Sequence, residues 1–552
     1  MENFEVKMLS SLSKVFPEEI YDKREISAGT SFCGEIYSFQ LAYRPGGIGR
    51  ARVKVKVESA LREHILLFEV ENAPSLLPAY PESRDGDYLK TSPGLYPDIL
   101  NPLPESPALT AVNNVWKSLW VMVNVPEGHR GGEIPITITF EDCGGNKSVF
   151  WTGTFTLGVI GAPLPENELF CTEWFHCDCL ADYYGAKVFS GDHWRIIDNY
   201  LKNYVMFGMN TLLTPVFTPP LDTAVGGSRT TVQLVKVTQN GGDYSFDFTL
   251  LKKFIETAKR RGIKAFEVSH LFSQWGAAFA PKVMAFDEQG GEKQLFGWGT
   301  PALSFEYKEF LGAFLPKLKR FLSDIGVFEQ SFFHISDEPN NKSIESYSSA
   351  KKVVSSALGG GKIIDAVSEY PFYEKGLVDN IVAANDRIDE FIEKGAKNLW
   401  TYYCCGQTRL VSNRFMAMPS YRNRILGVQM FRHDVKGFLH WGYNFWNSML
   451  SLFPIDPYRV TDADGAFPSG DAFLVYPGKD KTAVPSIRQV VFNEALQDYR
   501  ALSLYRALYG GEAAERKVDT LFGNLSFKEY PKTPENLILG RESLNRDIAS
   551  RL

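Results

Sequence analysis

From about residue 166 the chain alternates short apolar runs with amphipathic helical stretches, eight times over. Few folds accept that rhythm. The strand-like runs are ELFCTEWFH, NTLLTPV, IKAFEVSHLF, QSFFHISD, KIIDAVSE, DNIVAAND, KNLWTYYCC and VKGFLHWGY. Helical periods fall between them, as in HWRIIDNYLKNYVMFG, TLLKKFIETAKRRG, FEYKEFLGAFLPKLKRFLSDIG, SIESYSSAKKVVSSALGG and RIDEFIEKG. Several end in Gly, as a helix C-terminus often does. Eight strand–helix units predict a (β/α)8 TIM-like barrel over residues 166–510. A doubly wound open sheet competes, but it usually has fewer strands, and no Gly-rich phosphate fingerprint follows the first run. The fifth and sixth units are the least distinct, because the stretch between them, PFYEKG, is short.

Residues 1–160 follow a different period. VKVKV (Val53 to Val57), WKSLWVMVNV and IPITITF alternate apolar and polar positions, with Pro and Gly clusters between them. Short alternating strands with turn signals predict an N-terminal β-sandwich. Gly161-Ala162-Pro163-Leu164-Pro165 reads as a linker, and residues 511–552 as a helical, peripheral tail. The expected chain is therefore multidomain, β plus α/β, as its 552 residues demand.

The formal net charge is −6 and no long basic run occurs, so nucleic acid is not an expected partner. The first residues lack a basic leader followed by an unbroken apolar stretch, and no window has the roughly 18 consecutive apolar residues of a membrane helix. A cytoplasmic protein without membrane insertion is expected; the oligomeric state stays open. The seven Cys are odd in number and fit reduced thiols. His176-Cys177-Asp178-Cys179, with Cys171 upstream, and the vicinal pair Cys404-Cys405 offer potential ligands. Neither has the spaced pairs of a closed zinc site, so no metal is expected.

Barrel active sites sit at the C-terminal ends of the strands. Those ends carry Trp174 and His176, then Thr214, Ser269 and His270, then Asp337 and Glu338. Glu369, Asn385, Asp386, Tyr402, Tyr403, Trp441 and Tyr443 follow. Asp337 and Glu338 are the candidates for chemistry. Like charges side by side push one pKa up, giving a proton donor and an anion in one site, as glycosidic cleavage requires. Pro339 is expected to hold Glu338 extended. Strand neighbours point to opposite faces, so both acids serve one pocket only if the chain twists or turns there. Adjacent acids cannot easily straddle a sugar as the carboxylates of ordinary retaining or inverting enzymes do. They suit substrate-assisted catalysis, in which the substrate's 2-acetamido oxygen is the nucleophile. Alone, Asp-Glu-Pro is a common surface tripeptide; its place after the apolar SFFHIS gives it weight.

With His334-Ile335-Ser336-Asp337-Glu338-Pro339 in view, the barrel region resembles glycoside hydrolase family 123, the β-N-acetylgalactosaminidases. The likeness continues through Gly437-Phe438-Leu439-His440-Trp441-Gly442-Tyr443-Asn444-Phe445-Trp446-Asn447, the stretch Gly470 to Gly478, Ser486-Ile487-Arg488, Glu494-Ala495 and Asp498-Tyr499. The acidic pair is also similar to that of family 20 hexosaminidases. The resemblance implies retaining release of terminal β-linked N-acetylgalactosamine from glycosphingolipid-type glycans through an oxazoline intermediate. It implies Glu338 as acid/base, Asp337 as orienter of the acetamide N–H, and no metal or organic cofactor.

A sugar's apolar face packs on aromatic rings. Trp441, Tyr402, Tyr403 and Tyr443 are candidate walls, with Trp174 and Trp446 behind them. His270, Asn444 and Asp471 are candidates for sugar hydroxyls. Core packing for Trp446 and a turn for Asp471 are the plainer alternatives. Arg488 reads as a holder of the long helix VPSIRQVVFNEALQDYRALSLYRALY. Glu494 and Asp498, one turn apart on that helix, read as a solvated face, with bracing of the site from behind as the alternative. Two other functions stay open: a barrel glycosidase for a different sugar, and a non-catalytic glycan-binding protein that uses the sandwich.

Overall fold

The computed structural model describes residues 4–46, 50–105, 107–144 and 148–552. Its N-terminal part is two five-stranded sheets packed face to face. One runs in the order Phe4–Ser10, Ile36–Pro45, Lys117–Asn124, Ile65–Ser75, Gly94–Pro102; the other Ala28–Cys33, Val149–Pro163, Gly132–Asp142, Arg50–Glu58, Ala108–Val112. The alternation in Arg50–Glu58 explains why it is a strand with one wet face: Val53 and Val55 are buried while Arg52 and Lys56 are exposed. Phe39, Leu41, Ile136, Ile138, Phe155 and Leu157 fill the layer between the sheets.

The eight apolar runs form eight parallel barrel strands. They are Phe170–Glu173, Thr211–Thr214, Ala265–Val268, Ser331–Phe333, Lys362–Ala366, Asn380–Ala384, Trp400–Tyr402 and Gly437–His440, and the eighth pairs with the first. The helices Thr249–Arg261 and Ile344–Leu358 stop at Gly262 and Gly359, whose φ angles of 109° and 59° an L side chain rarely adopts. The fifth and sixth units keep only one short helical turn each, Tyr370–Glu374 and Asp389–Glu393.

Between the first and second strands no ladder forms, and side chains stitch the seam. Asn210 accepts from the Cys171 N–H at 2.9 Å and donates to the Leu169 carbonyl at 2.7 Å. The Tyr204 hydroxyl bridges Glu173 and Thr211. The lumen is a packed core of Phe332, Ile364, Val382, Trp400 and Leu439, with Phe170 stacked on Trp400 at 5.4 Å. A four-stranded sheet formed from residues 236–296 sits outside the barrel, in addition to the eight expected strands.

The sandwich is not a separate bead. Its segment 76–93 runs over the barrel rim, where Tyr80 donates to the Ala466 carbonyl, Asp85 pairs with Arg422 at 3.0 Å, and Tyr88 donates to the Thr408 carbonyl. Arg488 holds its helix to the sandwich through Asp98 at 2.8 Å. Two expectations fail at this seam. Glu494 and Asp498 are buried, not solvated, because Arg424 grips both, at 3.1 and 2.8 Å. The tail is wedged rather than peripheral: in its helix Pro534–Ala549, Arg541 reaches Asp498 and the sandwich's Glu35. Helical period alone could not reveal a second buried face. Among the described residues no helix is long and apolar enough to cross a membrane.

Candidate active site

The fourth strand delivers the acidic pair through a tightly determined turn. Ile335 N–H is held by the Asp365 carboxylate. The Ser336 hydroxyl donates to the Ser273 carbonyl at 2.8 Å and accepts from the Gly276 and Ala277 amides at 3.1 Å. The Asp337 carbonyl accepts from the Trp275 N–H at 2.8 Å. Glu338 then takes a φ of +42°, so it is not extended as Pro339 suggested. A positive φ costs a non-Gly residue about 1–2 kcal/mol, and the surrounding hydrogen bonds hold the turn in place. The turn also answers the problem of opposite faces. Asp337 and Glu338 both line one cavity of about 170 Å³ at the C-terminal mouth of the barrel.

Asp337 is half-buried, and Glu338 is solvent-exposed at the mouth. The pocket walls strip part of their hydration although water reaches them. Burial, followed by the Glu338 charge, holds the Asp337 carboxyl well above the usual carboxylate range, with His334 opposing. Burial also raises Glu338, opposed by the Tyr402 hydroxyl, which donates to Oε1 at 2.8 Å. Two such groups side by side resist ionising together.

Beneath the pair lies a fully buried ionic chain. His334 touches Glu267 Oε2 at 2.9 Å and Asp365 Oδ1 at 3.1 Å. Burial opposes its charge, but the hydrogen bonds to Asp365 and Glu267 outweigh it and raise His334 to about 9. His334 is therefore an imidazolium under the floor. Glu267 also accepts from the Trp174 Nε1 at 3.1 Å, which fixes that indole in the pocket wall. Opposite, Asp471 accepts from the Trp441 Nε1 at 3.0 Å, and burial lifts its carboxyl to about 7.

Trp174, Tyr402 and Trp441 meet the two carboxylates in the cavity. The other expected sugar contacts lie outside its lining. Tyr403 is fully buried and donates to Asn423. Tyr443 stacks on Phe175 and donates to Asn203. Asn444 pairs with the His176 backbone, and Trp446 donates to the Val475 carbonyl in the core. His270 stacks on His334 at 4.3 Å, buried and uncharged, and Asp471 stands behind Trp441. Strand alternation explains one of these: Tyr402 points inward, so Tyr403 points out.

The cavity also recruits Leu221, Asp222, Gln274, Trp275, Cys404, Cys405 and Phe467, from loops beyond the second, third, seventh and eighth strands. Only their position on the loops that carry barrel active sites could have flagged them. Asp222 is lifted to about 6 by burial, and one of its oxygens accepts the Leu450 N–H. At the cluster His176 to Cys179, Arg229 occupies the space a cation would take, gripping Asp178 at 2.7 Å and His176 Nδ1 at 3.0 Å. His270, His334 and Asp365 bring potential ligand atoms within 4.8 Å of one another, but both His334 nitrogens are committed to carboxylates.

The profile of the glycoside hydrolase 123 catalytic domain matches residues 174–505, more than half of the chain. The chain belongs to glycoside hydrolase family 123. The match begins at the pocket indole Trp174, includes the acidic pair and ends in the long closing helix. A solved family 123 glycoside hydrolase from Clostridium perfringens, described for glycolipid glycan hydrolysis, is similar over 99% of this chain and 98% of its own, with a TM-score of 0.75 and 16% identity. The sandwich and barrel therefore occur together in that fold. A family 5 mannosidase from Rhizomucor miehei (11% identity, TM-score 0.31, 61% of this chain and 95% of that one) is a remoter likeness. So is an endo-β-1,4-glucanase from Xanthomonas axonopodis (14%, 0.31, 55% and 90%). Neither carries an argument. No curated protein sequence matches the chain.

Proposed function

We propose that this family 123 glycoside hydrolase releases terminal β-linked N-acetylgalactosamine, with retention, using the substrate's own acetamide as nucleophile. The observation that carries the reading is the left-handed turn at Glu338, which sets two adjacent carboxyls on one pocket. Neighbours in sequence cannot stand on opposite sides of a glycosidic bond. They can act together on one face of it. Glu338, exposed toward the mouth, protonates the departing oxygen and then takes a proton from water. Asp337, set deeper, accepts the acetamide N–H and stabilises the positive charge that develops on the oxazolinium. An N–H donor arriving at Asp337 favours its anion and leaves a proton on Glu338. The His334 imidazolium below favours the same distribution. Trp174, Tyr402 and Trp441 form the wall for the terminal sugar. The glycolipid glycans attacked by the similar clostridial enzyme are the natural substrate class to test.

Asp222 is the one further carboxylate lining the cavity among the described residues, and it supports a second reading, a conventional carboxylate on the opposite side. Its bond to the Leu450 amide favours a loop-holding role. In the test, Glu338→Gln is expected to cut turnover of β-GalNAc glycosides with poor leaving groups by about 10²–10⁴-fold. Full activity of that variant would sink the assignment.

A further inference from the structure

Trp275 is 51% exposed, while Trp174 and Tyr402 in the same cavity are only 2% and 8% exposed and Trp441 and Phe467 are partly buried. It has a φ of +60°, Gly276 follows at +115° and Ala277 at +57°. A β-branched or bulky residue is seldom left in that region, and strain of this kind persists only where the surroundings over-determine it. Here they do. The Trp275 N–H is fixed on the Asp337 carbonyl, the next two amides on the Ser336 hydroxyl, and the Gly276 carbonyl on Ser346. The loop is thus locked to the turn that bears the acidic pair, yet about half of the residue it presents stays in water.

A strained backbone that leaves half of a large apolar residue in water is an expensive arrangement for packing alone. Its position gives it another use. The deep walls enclose the terminal sugar, and Glu338 at the mouth marks the bond to be cut. A ring at the lip, against the same turn, faces whatever lies beyond that bond. We propose that Trp275 is a stacking platform for the first sugar of the leaving group, and so a determinant of preference for oligosaccharide over simple aglycones. This rests on the reading of Glu338 as the acid.

The test compares wild type with Trp275→Ala and Trp275→Gly on two substrates. One is an oligosaccharide ending in β-GalNAc linked to a neutral hexose. The other is the β-GalNAc azide, whose leaving group has no ring to stack. The expected result is a loss in kcat/KM on the oligosaccharide that is tenfold or more greater than any loss on the azide. Trp275→Gly, which relieves the positive φ, is expected to melt no lower than wild type. Equal losses on both substrates, no loss on either, or a lower melting temperature for the Gly variant would overturn the platform. Wild type that cleaves neither substrate overturns the functional reading, and the platform with it. Wild type that cleaves both, with unaltered substrate preference in the variants, overturns the platform alone.

Discussion

Carboxylates at the seam between sandwich and barrel and carboxylates at the pocket are treated in opposite ways. At the seam between sandwich and barrel every one has a guanidinium. Glu35 and Asp498 meet Arg541, Asp498 and Glu494 meet Arg424, and Asp98 meets Arg488. At the pocket, Asp337 and Glu338 stand side by side and, among the described residues, make no ion pair; the nearby imidazolium is committed to Glu267 and Asp365. The seam answers the cost of burying charge by pairing it. The pocket leaves two carboxyls unpaired, which raises both and keeps a proton available. The difference separates charges that hold the fold from charges held ready for chemistry.

Substitution can break this contrast at either end. Glu338→Gln, with the large loss of turnover given above, is expected to leave the melting temperature unchanged or raised, because it removes a group that resists burial. Arg541→Met is the reverse case. It strands Glu35 and Asp498, and unfolding in denaturant is expected to show about 3–5 kcal/mol less stability, while the folded fraction keeps its kcat. Loss of kcat with unchanged stability in that variant would erase the distinction.

A smaller effect tests the charge beneath the floor. His334 binds its proton more tightly when folded, at about 9, than at its ordinary 6.5. Its contribution to stability is full below pH 6.5 and is lost as pH rises through about 9. Thermal unfolding across that range should show a falling melting temperature, with the fall reduced in His334→Gln. A flat profile would mean that His334 is neutral and does not bias the pair above it.

Much of the barrel was legible because a buried parallel strand is an unbroken apolar run and a helix repeats every 3.6 residues. All eight strands lie within the expected runs. The place of Asp337 and Glu338 at the fourth strand end was legible for the same reason. The Glu338 conformation was not, since a local rule about the residue before proline is overridden by the hydrogen bonds of Ser336 and Asp337. Alternation in the seventh strand would have separated Tyr402 from Tyr403. It could not have placed Trp275, Asp222 or Phe467, because loop backbones carry no period. Nor could the fate of Glu494 and Asp498 be read, since their partners stand 70 or more positions away or in other elements: Arg424, Arg541 and Ser11.

The central claim is that two adjacent carboxyls suffice because the substrate brings its own nucleophile. The most direct measurement is kcat/KM on a matched pair of aryl glycosides, β-GalNAc and β-galactoside, which differ only in the 2-acetamido group. The expected result is cleavage of the first at least about a thousandfold faster than the second, since the absent nucleophile removes the intramolecular step. Comparable rates on the two would contradict the account and return Asp222 to consideration as a carboxylate acting across the bond.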